Sequence, residues 1–386
     1  MYITVIAVFS LLAWIGLLTG RGNYWRADQR LERAPSPKQW PAIAVIIPAR
    51  DESDTIGPVI SSHMACRYRG NLTIILVDDQ SSDGTGHIAK TAAQASANTD
   101  VTFHLITASH LPNGWTGKLW ALQQGLEAAK TMAPEAQYLL LTDADIVHAP
   151  DTLQNLVAKA EYDGTSLTSL MARLDCRGFW GNLAVPAFIY FFQKLYPFQW
   201  SNDPWHKMAA SAGGCALVRR RALDRTGGVK AIKGALIDDC ALARNIKGAS
   251  ERRTWLGLAD REVISLRDNK SLASIWTMVA RTAFTQLDYS WLQLIATIIA
   301  MTLIYLAAPL IILTSGYHGS TSAASIALAA WVIQAITYRP TTKLYGQHWL
   351  FVFTLPISAF LYTMMTISSG WQHFRQRGGA WKGRQY

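Results

Sequence analysis

The sequence predicts an α/β protein: a doubly wound, mostly parallel sheet with transmembrane helices at its N- and C-terminus. Three observations predict it. Between residues 42 and 142, short apolar runs alternate with helix-like segments. Clustered acids stand at the ends of those runs. Long apolar stretches lie before residue 20 and after residue 290. The chain has 386 residues, long enough for one sizeable domain plus further elements. Half of them are hydrophobic and only 16% are charged, which is apolar for a soluble enzyme.

The membrane stretches come first. Residues 2–19 are almost continuously apolar, with Trp14 inside. Residues 291–314 form a second run, broken by Pro309, and 323–338 and 349–367 form a third and a fourth. About 20 apolar residues cross a bilayer, so 291–314 is the firmest span and 323–338 the shortest. A buried core helix competes as a reading of 323–338 and fits the others poorly. Residues 2–19 lack the basic start and small-residue cleavage site of a secretory signal. Arg21, Arg26, Arg30 and Arg33 follow. Residues 1–20 therefore read as an uncleaved anchor, and 21–41 as a basic juxtamembrane linker on the cytoplasmic side. The domain 42–285 is then cytoplasmic. Membrane helices fill 290–370. The tail 371–386, with Arg375, Arg377, Lys382 and Arg384, also belongs in the cytoplasm. Three full C-terminal spans would leave that tail on the wrong side. One of the three is expected to be re-entrant, interfacial or core. Pro356 points to 349–367, and shortness to 323–338.

Net charge is +10. Much of the excess sits beside membrane segments, so anionic lipid headgroups are the expected partner. Nucleic acid is not, because zinc-finger spacing and RNA-recognition signatures are absent. Cys66, Cys176, Cys215 and Cys240 are scattered without a Cys-x-x-Cys pair, which fits a reducing compartment.

Within the domain the elements alternate. Residues 34–41 hold three prolines and form a linker. Ile43–Ile47 suits a strand covered on both faces. Asp54–Met64 reads as a helix, Leu72–Val77 as a strand, Gly84–Ala95 as a helix and Val101–Ile106 as a strand. Lys118–Thr131 is helical, with Leu119, Leu122 and Leu126 on one face. Tyr138–Thr142 is the fourth strand, and a helix begins near Pro150. This rhythm puts ligands at the carboxyl ends of the strands. Residues 179–200 are aromatic-rich, from Phe179 to Trp200, with few charges and two prolines. Such a segment suits the membrane interface, or else an aromatic core stripe.

The chemistry sits at the strand ends. Leu139-Leu140-Leu141-Thr142 leads into Asp143-Ala144-Asp145. In extended backbone, side chains two apart point the same way. Asp143 and Asp145 can thus meet one hard cation, Mn2+ or Mg2+, shared with a substrate phosphate. A solvated acidic turn is the plainer alternative. The first strand ends in Pro48-Ala49-Arg50-Asp51-Glu52, and the second in Val77-Asp78-Asp79-Gln80-Ser81-Ser82-Asp83-Gly84-Thr85. Ser81, Ser82 and Asp83 suit an ordinary strand-to-helix turn. Asp78 and Asp79 repel unless something basic or hydrogen-bonding compensates, so they are candidates for binding a base or ribose. Lys118, after Trp115-Thr116-Gly117, can reach a diphosphate or stand solvated at a helix start. Asp238 and Asp239 precede an apparent helix Ala241–Lys247; one can cap it while the other serves as general base. Ala212-Gly213-Gly214-Cys215 offers a tight backbone site beside a sugar, or a strand start. Arg281 can bind a leaving diphosphate or a lipid headgroup.

Together these pieces resemble the family 2 inverting glycosyltransferases of the GT-A, or nucleotide-diphospho-sugar transferase, fold. The matching text is Pro48 to Glu52, the 77–85 run, Asp143-Ala144-Asp145 and Asp238-Asp239, over residues 42–285. Longer strings resemble the hopene-associated glycosyltransferases of bacterial hopanoid gene clusters more closely. They are Tyr24-Trp25-Arg26, Gly114-Trp115-Thr116-Gly117-Lys118-Leu119-Trp120, Gly234 to Cys240 and Arg281 to Leu287. The resemblance implies a UDP-sugar donor and a membrane lipid acceptor such as a hopanoid, at a bacterial cytoplasmic membrane. It implies nucleotide-sugar contacts at Pro48, Ala49, Glu52, Asp78, Asp79, Lys118, Asp143, Gly214 and Arg281. Asp143 and Asp145 would hold Mn2+ or Mg2+, and Asp239 or Asp238 would be the base. One departure matters. Many membrane members carry Gln/Arg-x-x-Arg-Trp before the C-terminal spans; here Met278 and Thr282 flank Arg281 instead. That, with too few spans for an export channel, argues against a processive polysaccharide synthase. A non-catalytic nucleotide-sugar-binding module is the rival of another class. A dinucleotide oxidoreductase is excluded because no Gly-x-Gly-x-x-Gly follows Ile43–Ile47.

Overall fold

The computed structural model describes residues 1–251 and 253–375. Arg377, Lys382 and Arg384 of the tail lie outside the described residues. Among the described residues nine strands form: β1 (Ile43–Ala49), β2 (Leu72–Asp78), β3 (Val101–Thr107), β4 (Tyr138–Leu141), β5 (Ile146–His148), β6 (Leu167–Met171), β7 (Ala216–Arg219), β8 (Thr254–Leu258) and β9 (Val263–Ser265). Seven make one sheet in the order β3-β2-β1-β4-β7-β6-β8, and β5 pairs with β9 apart from it. β1, β2, β3 and β4 are parallel neighbours, as the alternating pattern predicts. β7 runs antiparallel between β4 and β6.

Burial explains the unbroken apolar runs. Ile43, Val45 and Ile47 of β1 pack on one face with the helices Ile56–Met64 and Thr152–Asp163. Ala44 and Ile46 pack on the other with the helix Gly117–Met132. A strand buried on both faces needs no polar alternation. Gly125 fixes how closely that helix lies on the sheet: a Cβ there would come within 2.4 Å of the Ile46 Cγ2 and 3.0 Å of the Val77 Cγ2. Gly125→Ala is therefore expected to destabilise the domain by about 1–3 kcal/mol through overpacking, read as a lower denaturation midpoint.

Among the described residues four helices are long and apolar enough to cross a membrane: Tyr2–Gly20, Trp291–Leu313, Thr321–Leu344 and Trp349–Phe374. Both reasons for singling out one C-terminal segment fall away. The 323–338 run belongs to a helix of 24 residues. Pro356 lies at the start of the helix Leu355–Phe374, where its missing N–H leaves no gap. The interruption expected at Pro309 is a π-helical turn, Thr302–Leu306, inside an otherwise continuous helix. These helices close around one core with Trp14, Tyr305, Tyr338 and Tyr362. The helix Tyr2–Gly20 packs on Thr321–Leu344, so it shares one bundle with the C-terminal apolar helices.

The aromatic segment is mostly internal. It forms the helix Gly178–Leu195 and a short helix Phe198–Asn202. Tyr190 is fully buried and joins three elements: its hydroxyl lies 2.8 Å from that of Tyr24 and 2.9 Å from the Thr337 Oγ1. Phe179 is the exposed aromatic of the segment. The 21–41 linker is also tied down. Arg21 donates to the Lys194 and Leu195 carbonyls, and the Leu258 amide donates to the Gln29 carbonyl. All four cysteines are free.

Candidate active site

Strand register assembles the site. Ala49 pairs with Asp78, so β1 and β2 end level with one another. β4 ends beside them at Leu141. Because β7 is antiparallel to β4, with Leu141 opposite Ala216, the Gly213-Gly214 loop before β7 lies at the same edge. Pairing of Ile146 with Ser265 brings the end of β9 there as well. An open cleft results, about 820 Å³ counting its mouth. Pro48, Glu52, Lys118, Asp143, Asp145, Asp238 and Arg281 line it, with Thr116, Ala144, Ala235, Leu236, Arg267 and Thr282.

The two metal candidates share this cleft, though not by strand alternation. β4 stops at Leu141, and Asp143-Ala144-Asp145 forms a turn into β5. The turn, not extended backbone, brings both residues to the cleft wall. The Asp145 Oδ2 accepts from the Ser265 hydroxyl at 3.0 Å, and its carbonyl accepts from the Leu266 amide at 2.7 Å. Burial, then the Asp143 charge, raises the Asp145 carboxyl. Burial also opposes ionisation of Asp143, but Lys118 outweighs it and lowers that carboxyl.

Lys118 is the hub of the cluster. Thr116 caps its helix, accepting from the Leu119 amide, which fixes Lys118 in the first turn. A cation there opposes the helix dipole. Two carboxylates compensate: the Lys118 Nζ lies 2.8 Å from the Asp143 Oδ1 and 3.2 Å from the Asp238 Oδ2. Burial works against this charge, and the Asp143 and Asp238 charges overcome it, raising the ammonium pKa.

Asp238 and Asp239 open the helix Asp238–Ile246, three residues earlier than the apolar pattern indicated, where acids favour the dipole. They divide their tasks. Asp238 faces the cleft and Lys118. Asp239 lies beside it, accepting from the Cys240 amide at 2.7 Å and the Gly213 amide at 3.1 Å. Burial, then the Asp238 charge, pushes the Asp239 carboxyl up to about 6.

Arg281 reaches the cleft although it lies close in sequence to the apolar helix Trp291–Leu313. Burial, then the Arg267 charge, lowers its pKa, while Asp238, Asp143 and Asp239 favour its cation. Its segment is pinned to the apolar helix Leu355–Phe374: the Ser369 hydroxyl donates to the Ala280 carbonyl and accepts from the Phe284 amide.

Other predicted residues sit behind this front. Asp79 is fully buried, with Arg50 3.8 Å away and donating to its carbonyl. Ala49 underlies it, accepting from the Asp79 amide. The Asp78 Oδ1 accepts from the Ser81 amide at 3.0 Å. These are the compensating partners that two adjacent acids require. Asp83 closes the turn as expected: bonds from Thr85 and Ser53 overcome its slight burial and lower its pKa to about 2. Gly214 packs on the Ile146 side chain; Gly213 is the glycine that faces Lys118 and Asp239. Sequence reasoning missed Arg267, which stands in the loop after β9 with no motif around it. It quoted Gly213 without choosing it.

Among the described residues no group of three or more His, Cys, Asp or Glu surrounds a common point. Two carboxylates on one turn suit a cation that completes its shell with phosphate oxygens and water, as Mg2+ and Mn2+ do, and not a closed structural site. The Lys118 and Ser265 bonds occupy one oxygen of each acid, so Asp143 Oδ2 and Asp145 Oδ1 are the atoms that fit this role.

Comparison with known proteins agrees with this arrangement. Residues 44–227 match the model described as glycosyl transferase family 2. A mannosyltransferase from Pyrobaculum calidifontis, solved with GDP-Man and Mn2+, is 20% identical and superposes with a TM-score of 0.57, covering 93% of this chain and 99% of that one. A glucosyl-3-phosphoglycerate synthase from Mycobacterium tuberculosis, solved with Mn2+, UDP-glucose and phosphoglyceric acid, is 17% identical. It covers 64% of this chain and 80% of its own, at a TM-score of 0.43. Residues 44–227 of this chain are thus similar to a family 2 glycosyltransferase domain, and the chain has the GT-A fold.

Proposed function

We propose that this chain is a membrane-bound inverting glycosyltransferase that moves a sugar from a UDP-sugar to a lipid hydroxyl, in hopanoid metabolism at a bacterial cytoplasmic membrane. One observation carries the reading: the segment that brings Arg281 and Thr282 to the wall of an acid- and Lys-lined cleft is hydrogen-bonded on either side of them, at Ala280 and Phe284, to Ser369 of an apolar helix long enough to cross a membrane. A hydrophobic acceptor then meets the donor without leaving the bilayer.

The residues divide the work. Pro48, Ala49, Glu52, Asp78, Asp79 and Gly214 shape the nucleotide-sugar side of the site. A cation on Asp143 and Asp145, Mn2+ or Mg2+, would offset charge gathering on the departing diphosphate. Lys118 and Arg281 place fixed positive charge beside that diphosphate. Asp239, or Asp238 beside it, takes the proton from the lipid hydroxyl. The oxygen forms a bond to the anomeric carbon as the carbon–diphosphate bond breaks, and UDP leaves. One displacement inverts the configuration.

The test is transfer by the purified protein in lipid nanodiscs, given radiolabelled nucleotide sugars and a bacterial lipid extract. A labelled lipid formed from a UDP-sugar, dependent on Mn2+ or Mg2+, is expected. Label from GDP-mannose alone would replace the donor, and a long labelled polymer would favour a synthase. UDP and Mn2+ binding by calorimetry without any product would favour a binding module.

A further inference from the structure

Thr142 precedes the metal-binding turn and is 1% exposed. Its hydroxyl has one proton and two close partners. It donates to the Gly214 carbonyl at 2.7 Å, and His148 Nε2 lies 3.1 Å away. The one proton is committed to the carbonyl, which is only an acceptor, so the hydroxyl accepts from His148. His148 must then carry its proton on Nε2.

Each partner belongs to a different part of the site. His148 ends β5, the strand that follows Asp145, and its amide donates to the Ser62 hydroxyl at 3.2 Å. Its ring lies 4.6 Å from that of His63, centroid to centroid. Burial lowers both imidazoles, His63 to about 4, so both are neutral. Gly214 follows Gly213, whose amide donates to Asp239. Gly214 also sits on Ile146, where a Cβ would come within 3.1 Å of the side chain. The path His148–Thr142–Gly214–Gly213–Asp239 therefore joins the β5 side of the metal turn to the loop that holds the candidate base.

We propose that the Thr142 hydroxyl is a positioning group that locks the Asp143–Asp145 turn to the Gly213-Gly214 loop, with His148 as its fixed donor. The inference rests on the proposed transferase reading, in which the cation and the base must act on one substrate. A hydrogen-bonded clamp keeps two reacting centres in register, and misplacement by about 1 Å can lower turnover about 100-fold.

Two measurements test it. Thr142→Val keeps the shape and removes the hydroxyl, and Thr142→Ser keeps the hydroxyl. Thr142→Val is expected to lower kcat about 10- to 100-fold with the donor KM within about threefold, and Thr142→Ser to recover kcat to within about threefold of wild type. Equal kcat in wild type and Thr142→Val overturns the proposal, and so does equal loss in the Val and Ser variants, which would mean packing alone. The second measurement needs no turnover. In 15N-histidine NMR spectra, with His148 identified by its loss in His148→Asn, the ring should show a protonated Nε2 and a bare Nδ1. A protonated Nδ1 overturns the clamp even if Thr142→Val fails to fold. Absence of transfer by the wild type counts against the proposed function, while the tautomer still decides this inference.

Discussion

Asp145→Ala is expected to reduce transfer at least about 1,000-fold while the chain still folds and inserts. The loss follows from the donor set. Asp143 shares its Oδ1 with Lys118 at 2.8 Å, so it is a weak sole anchor for a cation. Without Asp145 the diphosphate keeps its charge as the sugar departs. The fold loses little. The Ser265 bond to the carboxylate goes, which removes about 1 kcal/mol. Relief of repulsion against Asp143, which raises the Asp145 carboxyl, works the other way. The turn also keeps its backbone bond from the Leu266 amide. Transfer measured across a Mn2+ titration, beside a thermal melt, separates the two effects. Chelation of the wild type should reproduce the loss, and unchanged turnover in Asp145→Ala would remove the metal role.

The half of the sheet that holds β1, β2 and β4 was legible because its strands obey simple rules. β1, β2 and β4 are covered on both faces, so they appear as unbroken apolar runs with acids at their carboxyl ends. The other half is hidden. β6 reads Leu-Thr-Ser-Leu-Met, yet Thr168 and Ser169 are fully buried, because Ser169 bonds the Ala212 and Cys215 carbonyls. Tertiary partners, not periodicity, make that a strand. β5 and β9 have three residues each, too short for any period to show.

The site divides in the same way. Lys118, Asp143, Asp145, Asp238 and Arg281 converge on one cleft, and each stood in a short motif at an element boundary. Arg267 and Gly213 join it through the β5–β9 pairing and the antiparallel β7, relations that no local pattern carries. The aromatic segment shows the limit of composition. Rings suit a lipid interface or a core equally, and only tertiary contacts such as Tyr24–Tyr190–Thr337 place Tyr190 inside, with Tyr196 and Phe198 also buried and Phe179 exposed.

Asp239→Asn is expected to retain UDP and Mn2+ binding and to lose about 1,000-fold in transfer, the range for removing a general base. The substitution is nearly isosteric; its one amide oxygen keeps one of the two bonds from the Cys240 and Gly213 amides, which the wild-type carboxylate accepts on separate oxygens, and its NH2, a donor, gives up the other. Asp143 and Asp145 are untouched, so the cation and diphosphate keep their ligands. What disappears is the proton acceptor. Burial and the Asp238 charge push the Asp239 carboxyl up to about 6, so the wild type should lose kcat/KM for the donor as pH falls through about 6. The direction is fixed: protonation discharges the base, so activity is present above that pH and lost below it. Stability moves oppositely. A carboxyl raised above its unfolded value binds its proton more readily in the folded state, so this group makes the fold less stable as pH rises from about 4 to about 6. Asp239→Asn should remove the acid limb from whatever turnover remains. If Asp238→Asn alone abolishes transfer and the limb survives in Asp239→Asn, the base is Asp238, whose carboxylate faces the cleft beside Lys118.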